Sequence, residues 1–156
     1  MDEPDKKNNL PRLLIGQSEN QDHLRLLSGK LGLAKRTDFG KTEEECLSKA
    51  GDSITKWLIF HAQQTAEDTT TDEGKHQPIR LFLIDVQMNG SIKAIENVKE
   101  CYKKVNLAIN GTQIIEPRYV MLTEFSTAEL VSTGQRLGVY QIVSKPITLE
   151  MLRSLF

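Results

Sequence analysis

The stretch Ile79–Gly90, IRLFLIDVQMNG, decides the fold. Leu81, Phe82, Leu83 and Ile84 form an unbroken apolar run, the pattern of a strand buried on both faces inside a parallel sheet. The run stops at Asp85, and the turn residues Asn89 and Gly90 close the loop that follows. In open α/β sheets, ligands gather beyond the carboxyl ends of the strands. The spacing therefore delivers Asp85 to that edge.

Working outward, Leu13, Leu14 and Ile15 predict a short buried strand ending at Gly16 and Gln17. Leu24, Leu27 and Leu31 predict a helix from about Asn20, with Gly29 and Gly32 marking its end. Ala34 to Phe39 reads as a second strand. Thr42 and Glu45 form a capping-box pattern that opens a helix carrying Leu47, Ala50, Ile54, Trp57 and Leu58 towards Ala62. Beyond the central strand, Ser91 opens a helix marked by Ile92, Ile95, Val98, Tyr102 and Val105. Asn106 to Pro117 reads as a loop and Tyr119 to Leu122 as a strand. Ser126 and Glu129 form a second capping box before Leu130, Val131 and Leu137. Val139 to Val143 is the last strand, and Thr148 caps a helix with Leu149, Leu152 and Leu155. Strand and helix alternate five times, which predicts an α/β fold: a doubly wound five-stranded parallel sheet with helices on both faces.

The chain has 156 residues, enough for one domain with one sizeable core. That domain spans residues 12–156, preceded by a charged, unpatterned arm over 1–11 that is expected to be flexible. Residues 63–78 hold threonines, acids, a glycine and a proline with almost nothing apolar. They are expected to form a mobile insertion that cannot offset its ordering entropy by burial. Twenty basic against twenty-one acidic side chains argue against nucleic-acid binding. No apolar stretch reaches membrane-spanning length, and the polar start does not fit a signal peptide. Cys46 and Cys101 are too few for a disulfide scaffold and read as buried free thiols of a cytoplasmic protein. The polar start and the stop at Phe156 suggest a segment of a longer protein, such as the cytosolic part of a membrane-anchored one. His23, His61 and His76 are scattered and read as surface residues. Gly40-Lys41-Thr42 has the ending of a phosphate-binding loop, but Lys35 stands where the first glycine would be. No nucleophile elbow and no metal-spaced His or Cys pair is present, so nothing points to catalytic turnover by this chain alone.

Three strands end in a polar residue of a definite kind: Asp85, Thr123 and Lys145. In a parallel sheet those ends lie side by side. Carboxylate, hydroxyl and ammonium together suit an acyl-phosphate site, with the carboxylate as nucleophile and the other two binding phosphoryl oxygens. Each residue alone is equally a helix cap or a lysine reaching to solvent; three successive strand ends favour the site.

The segments LFLIDVQM, YVMLT and VSKPI, in this order, resemble the receiver domain of two-component response regulators and hybrid histidine kinases. The resemblance runs from about Arg12 to the end and implies a flavodoxin-like receiver fold. It implies a phosphoaccepting Asp85, phosphoryl contacts from Thr123 and Lys145, and a cis peptide before Pro146. It also implies a histidine phosphotransfer protein, a histidine kinase domain or a second copy of the chain as partner. A Mg²⁺ ion would be held by Asp85 and the Gln87 backbone together with an acidic pair after the first strand. That place reads Ile15-Gly16-Gln17-Ser18 and holds no acid, and Glu19 is the first carboxylate after it. Mg²⁺ usually takes one or two carboxylates at tight octahedral distances, so a site with Asp85 alone is expected to be weak or absent. The loop Val86–Gly90 is shorter than the family's, and Ile142 stands where the aromatic switch residue belongs, with Tyr140 two residues earlier. Two readings stay open. One is an atypical pseudo-receiver serving as a protein-interaction module; the other is a working receiver phosphorylated on Asp85.

Overall fold

The computed structural model describes residues 12–19, 21–62, 77–109 and 113–156. Among the described residues, five strands and five α-helices follow one another: β1 (Leu13–Gly16), α1 (Gln21–Lys30), β2 (Thr37–Gly40), α2 (Glu43–Ala62), β3 (Leu81–Asp85), α3 (Ser91–Ala108), β4 (Arg118–Thr123), α4 (Ala128–Leu137), β5 (Gln141–Ser144) and α5 (Leu149–Ser154). The strands form one parallel sheet in the order β2-β1-β3-β4-β5. The expected arms and boundaries over residues 1–11 and 63–76 lie outside the described residues, as do Asn20 and His76. Gln77 and Pro78, assigned from sequence to the insertion, are held in place. Pro78 is buried and its carbonyl accepts from Ser53 Oγ at 3.2 Å, while Gln77 Nε2 donates to Glu116 O at 2.9 Å.

Alternation along β3 divides the interior. Phe82 and Ile84 face a core built with Cys46, Ala50 and Ile54 of α2 and Ala94, Ile95, Val98 and Tyr102 of α3. Leu81 and Leu83 face a second core with Leu24 and Leu27 of α1 and Leu152 and Leu155 at the α5 end. All five β3 residues are buried. Each such large apolar side chain contributes about 1.5–3 kcal/mol relative to an exposed one. The two strands that flank this centre, β1 and β4, follow the same division, so the sheet lies between two apolar layers.

Several local boundaries differ from expectation, each for a hydrogen-bonding reason. Ala34–Arg36 is a 3₁₀ turn, not strand. The Leu33 carbonyl accepts from Arg36 N at 2.8 Å and Thr37 Oγ1 at 2.7 Å, which coils the chain before β2 begins. β5 starts at Gln141 instead of Val139, because Gly138 ends α4 at φ 72° and Val139 N bonds back to Gly134 O at 2.8 Å. The α4 cap is Thr127, whose hydroxyl accepts from Leu130 N, and not Ser126. Gly90, at φ 77°, stands at the cap position of α3, while Ser91 Oγ donates to Val86 O. Asn106 lies in α3, not in a loop, and its amide brackets Ile114 through both backbone groups. At Thr42 half of the box forms: Thr42 Oγ1 accepts from Glu45 N, while Glu45 Oε1 accepts from Lys41 N, one residue before the cap. Thr148 caps α5 by accepting from Met151 N.

Candidate functional site

At the carboxyl edge, strand pairing is carried one residue beyond the strands themselves. Gln17 N donates to Gly40 O at 2.9 Å, Val86 N to Leu122 O at 2.9 Å, and Lys145 N to Thr123 O at 2.8 Å. The backbones of three loops are thereby fixed where they leave the sheet. The register pairs Gly16 with Ile84, so Gln17 and Asp85 emerge side by side from adjacent strands. Asp85 follows Leu81 and Leu83 in alternation, and Lys145 follows Val143, which lies in the same core. Both therefore leave the sheet on the α1/α5 side.

The side chains converge on the Asp85 carboxylate. Lys145 Nζ is 2.7 Å from Asp85 Oδ2, with the two side chains 19% and 8% exposed, so the pair is shielded from most solvent screening. Gln17, only 6% exposed, donates from Nε2 to the same Oδ2 at 3.1 Å. Gln87 N donates to Oδ1 at 2.9 Å and closes the first turn of the loop. Gln17 Oε1 is buried without a hydrogen-bond partner. Exchanging the two amide atoms would set that oxygen against the carboxylate, which fixes the amide's orientation.

Thr123 is placed differently. It pairs with Ser144 in register, one step beyond the Asp85–Leu122 level. Its hydroxyl donates to Phe125 O at 3.0 Å and accepts from Phe125 N at 3.3 Å, and so is turned into its own loop. The Lys145–Pro146 peptide is cis, as the resemblance implied. Ile142 packs against the core on the α3/α4 side, with Gly134 close above it, away from Asp85. Tyr140 lies just before β5, at the opposite end of the strand from Lys145, with the Arg118 guanidinium 4.4 Å from its ring centre.

These donors do not fit a Mg²⁺ cage. They offer one carboxylate, already faced by an ammonium, and beside it a neutral amide in place of a second carboxylate. Among the described residues, no group of three or more His, Cys, Asp and Glu side chains is placed to hold a metal. Sequence reasoning registered Gln17 only as a missing acid, and the adjacency of β1 and β3 is what makes it a partner of Asp85. His23, read as a surface residue, is exposed, yet its Nε2 donates to Ile147 O at 2.8 Å. Glu43 also went unnoticed: its Oε2 is buried without a partner against Gly90. The thiols are free, as expected, and Cys46 is fully buried while Cys101 is partly so.

No family model and no curated protein matches the chain. Solved structures do. The chemotaxis protein CheY4 of Vibrio cholerae matches with a TM-score of 0.61 at 15% identity, over 93% of this chain and 94% of that one. The signal receiver domain of a modulated diguanylate cyclase from Desulfovibrio desulfuricans G20 matches at 0.59 and 14%, over 94% and 90%. A two-component response regulator from Legionella pneumophila matches at 0.58 and 15%, over 94% and 95%. The chain has the receiver fold. At such identities the likeness speaks for architecture, and within the receiver fold Asp85, Thr123 and Lys145 stand at the carboxyl ends of β3, β4 and β5. No helix among the described residues is long and apolar enough to cross a membrane.

Proposed function

We propose that this chain is a receiver-like signalling module of a two-component phosphorelay that works without phosphorylation, as an atypical receiver. The supporting observation is the buried Gln17 amide bonded to Asp85 at 3.1 Å, where a metal-holding carboxylate would be needed. A nucleophilic carboxylate meeting a phosphoryl donor must have the added charge neutralised, and a divalent ion does most of that in phosphoryl transfer. Among the described residues, Lys145 is the cation placed at this carboxylate, and it already neutralises Asp85. The module then serves through its surface, docking a histidine phosphotransfer protein, a histidine kinase domain or a second copy of itself in the cytoplasm. A hybrid histidine kinase is a natural parent for such a segment.

The second reading, a working receiver, is favoured by the 2.7 Å Lys145–Asp85 contact and by Thr123 at the next strand end. Titrating the protein with beryllofluoride and Mg²⁺ while following backbone amide signals separates the two. The expected outcome is no saturable shift at Val86, Gln87 or Thr123 at low millimolar metal. The matched Gln17→Asp variant, which returns a carboxylate beside Asp85, is expected to gain one. Saturation in the unmodified protein would establish the working receiver.

A further inference from the structure

Helix α1 bonds to the backbone of Gln17 and, two residues beyond Lys145, to that of Ile147. Gln21, at its first position, donates from Nε2 to the Gln17 carbonyl at 2.6 Å, and its Oε1 accepts from Arg25 at 3.0 Å, which braces the amide. His23 donates from Nε2 to Ile147 O at 2.8 Å, two residues beyond Lys145. The rotation of α1 is set by Leu24 and Leu27, buried in the core shared with Ile147. Packing of these leucines therefore sets the direction from which the two polar side chains reach out. On its other side the Lys145 segment is tied to Thr123 O through Lys145 N, and Thr148 beyond it caps α5.

We propose that His23 and Gln21 are positioning residues that aim Lys145 and Gln17 at the Asp85 carboxylate, making α1 the frame of the site. The idea rests on the proposed function only in treating that carboxylate as the working centre. The imidazole reaches Ile147 O with Nε2–H, which the histidinium and one neutral tautomer both carry. Without it, the strap from Pro146 to Thr148 keeps only its apolar packing on α1, and the Lys145 ammonium holds Oδ2 for a smaller fraction of time. The same logic applies to Gln21 and the Gln17 backbone.

The test reads the Lys145 ammonium directly, through its ¹H–¹⁵N signal and its rate of hydrogen exchange with water. In His23→Ala that exchange is expected to quicken by about threefold to tenfold, the span corresponding to one lost hydrogen bond. His23→Gln, whose amide can donate from nearly the same place, should stay within about twofold of the unmodified protein. Leu26→Ala, on the exposed face of the same helix, should change nothing. Unaltered exchange in His23→Ala, or an equal change in Leu26→Ala, would overturn the assignment. Should His23→Ala not fold, Gln21→Ala read at the Gln17 side-chain amide decides in the same way. No phosphoryl donor or metal enters this measurement, so its failure is distinct from a failure of the unphosphorylated-module reading.

Discussion

Among the described residues, Asp85 accepts from three donors of unequal weight. Gln87 N comes with the turn itself, Gln17 Nε2 is neutral, and Lys145 is the charge that makes an ionised carboxylate tolerable at 7% exposure. Removing the ammonium leaves a buried charge with two neutral donors. Lys145→Met is therefore expected to destabilise the fold by about 2–3 kcal/mol, somewhat less than the full cost of breaking a buried pair. Adding Asp85→Asn should bring the loss back to within about 1 kcal/mol, since replacing a whole pair is often nearly neutral. Urea unfolding of the two singles and the double measures this, and strictly additive losses would show that the pair does not couple. The placement of Asp85 and Lys145 at the carboxyl edge was legible in the sequence because Asp85 ends an apolar run and Lys145 follows a short strand directly. The partnership of Gln17 was not, because it depends on which strand lies beside β3, and amide and carboxylate side chains carry opposite meanings at that place.

Elements were legible through their periodicity, and their ends only partly so. Around α4 the chain reads Ser126-Thr127-Ala128-Glu129, where both Ser and Thr can cap and Ser126 has the matching Glu three residues on. The hydroxyl that caps is Thr127, bonded to Leu130 N at 3.1 Å. Thr127→Ala should then cost about 1 kcal/mol, whereas Ser126→Ala, exposed and outside the helix, should stay within about 0.5 kcal/mol. A thermal melt of each variant checks the difference, and the reverse order would place the cap one residue earlier. The β2 and β5 boundaries slipped for a related reason. Carbonyls that bond within the chain, at Leu33 and Gly134, withdraw residues whose composition suits a strand.

At the scale of the whole molecule, the alternation of apolar runs and helical stripes was enough to specify a parallel sheet between two layers, because each layer needs its own periodic face. The titratable groups sealed into the α2/α3 side, in contrast, show only in three dimensions. Burial, with a smaller push from Glu45, raises the Cys46 thiol from 9.0 to about 12. Tyr102 and Tyr119 are also pushed up, first by burial and then by charged or polar neighbours that include Glu116, to which Tyr119 donates at 2.8 Å. All three hold their protons more tightly folded than unfolded, so stability falls wherever the folded state binds more protons. For Cys46 the contribution is complete below pH 9.0 and is lost progressively as pH rises to about 12. Over that span this thiol alone lowers the unfolding free energy by about 1.4 kcal/mol per pH unit. The midpoint of urea unfolding should therefore drop steadily above pH 9, and Cys46→Ala, though less stable at neutral pH from the methyl-sized void, should drop less steeply. Parallel slopes in the two proteins would mean that Cys46 ionises as readily in the fold as out of it, and that the packing of α2 on β1 is looser than the contacts place it.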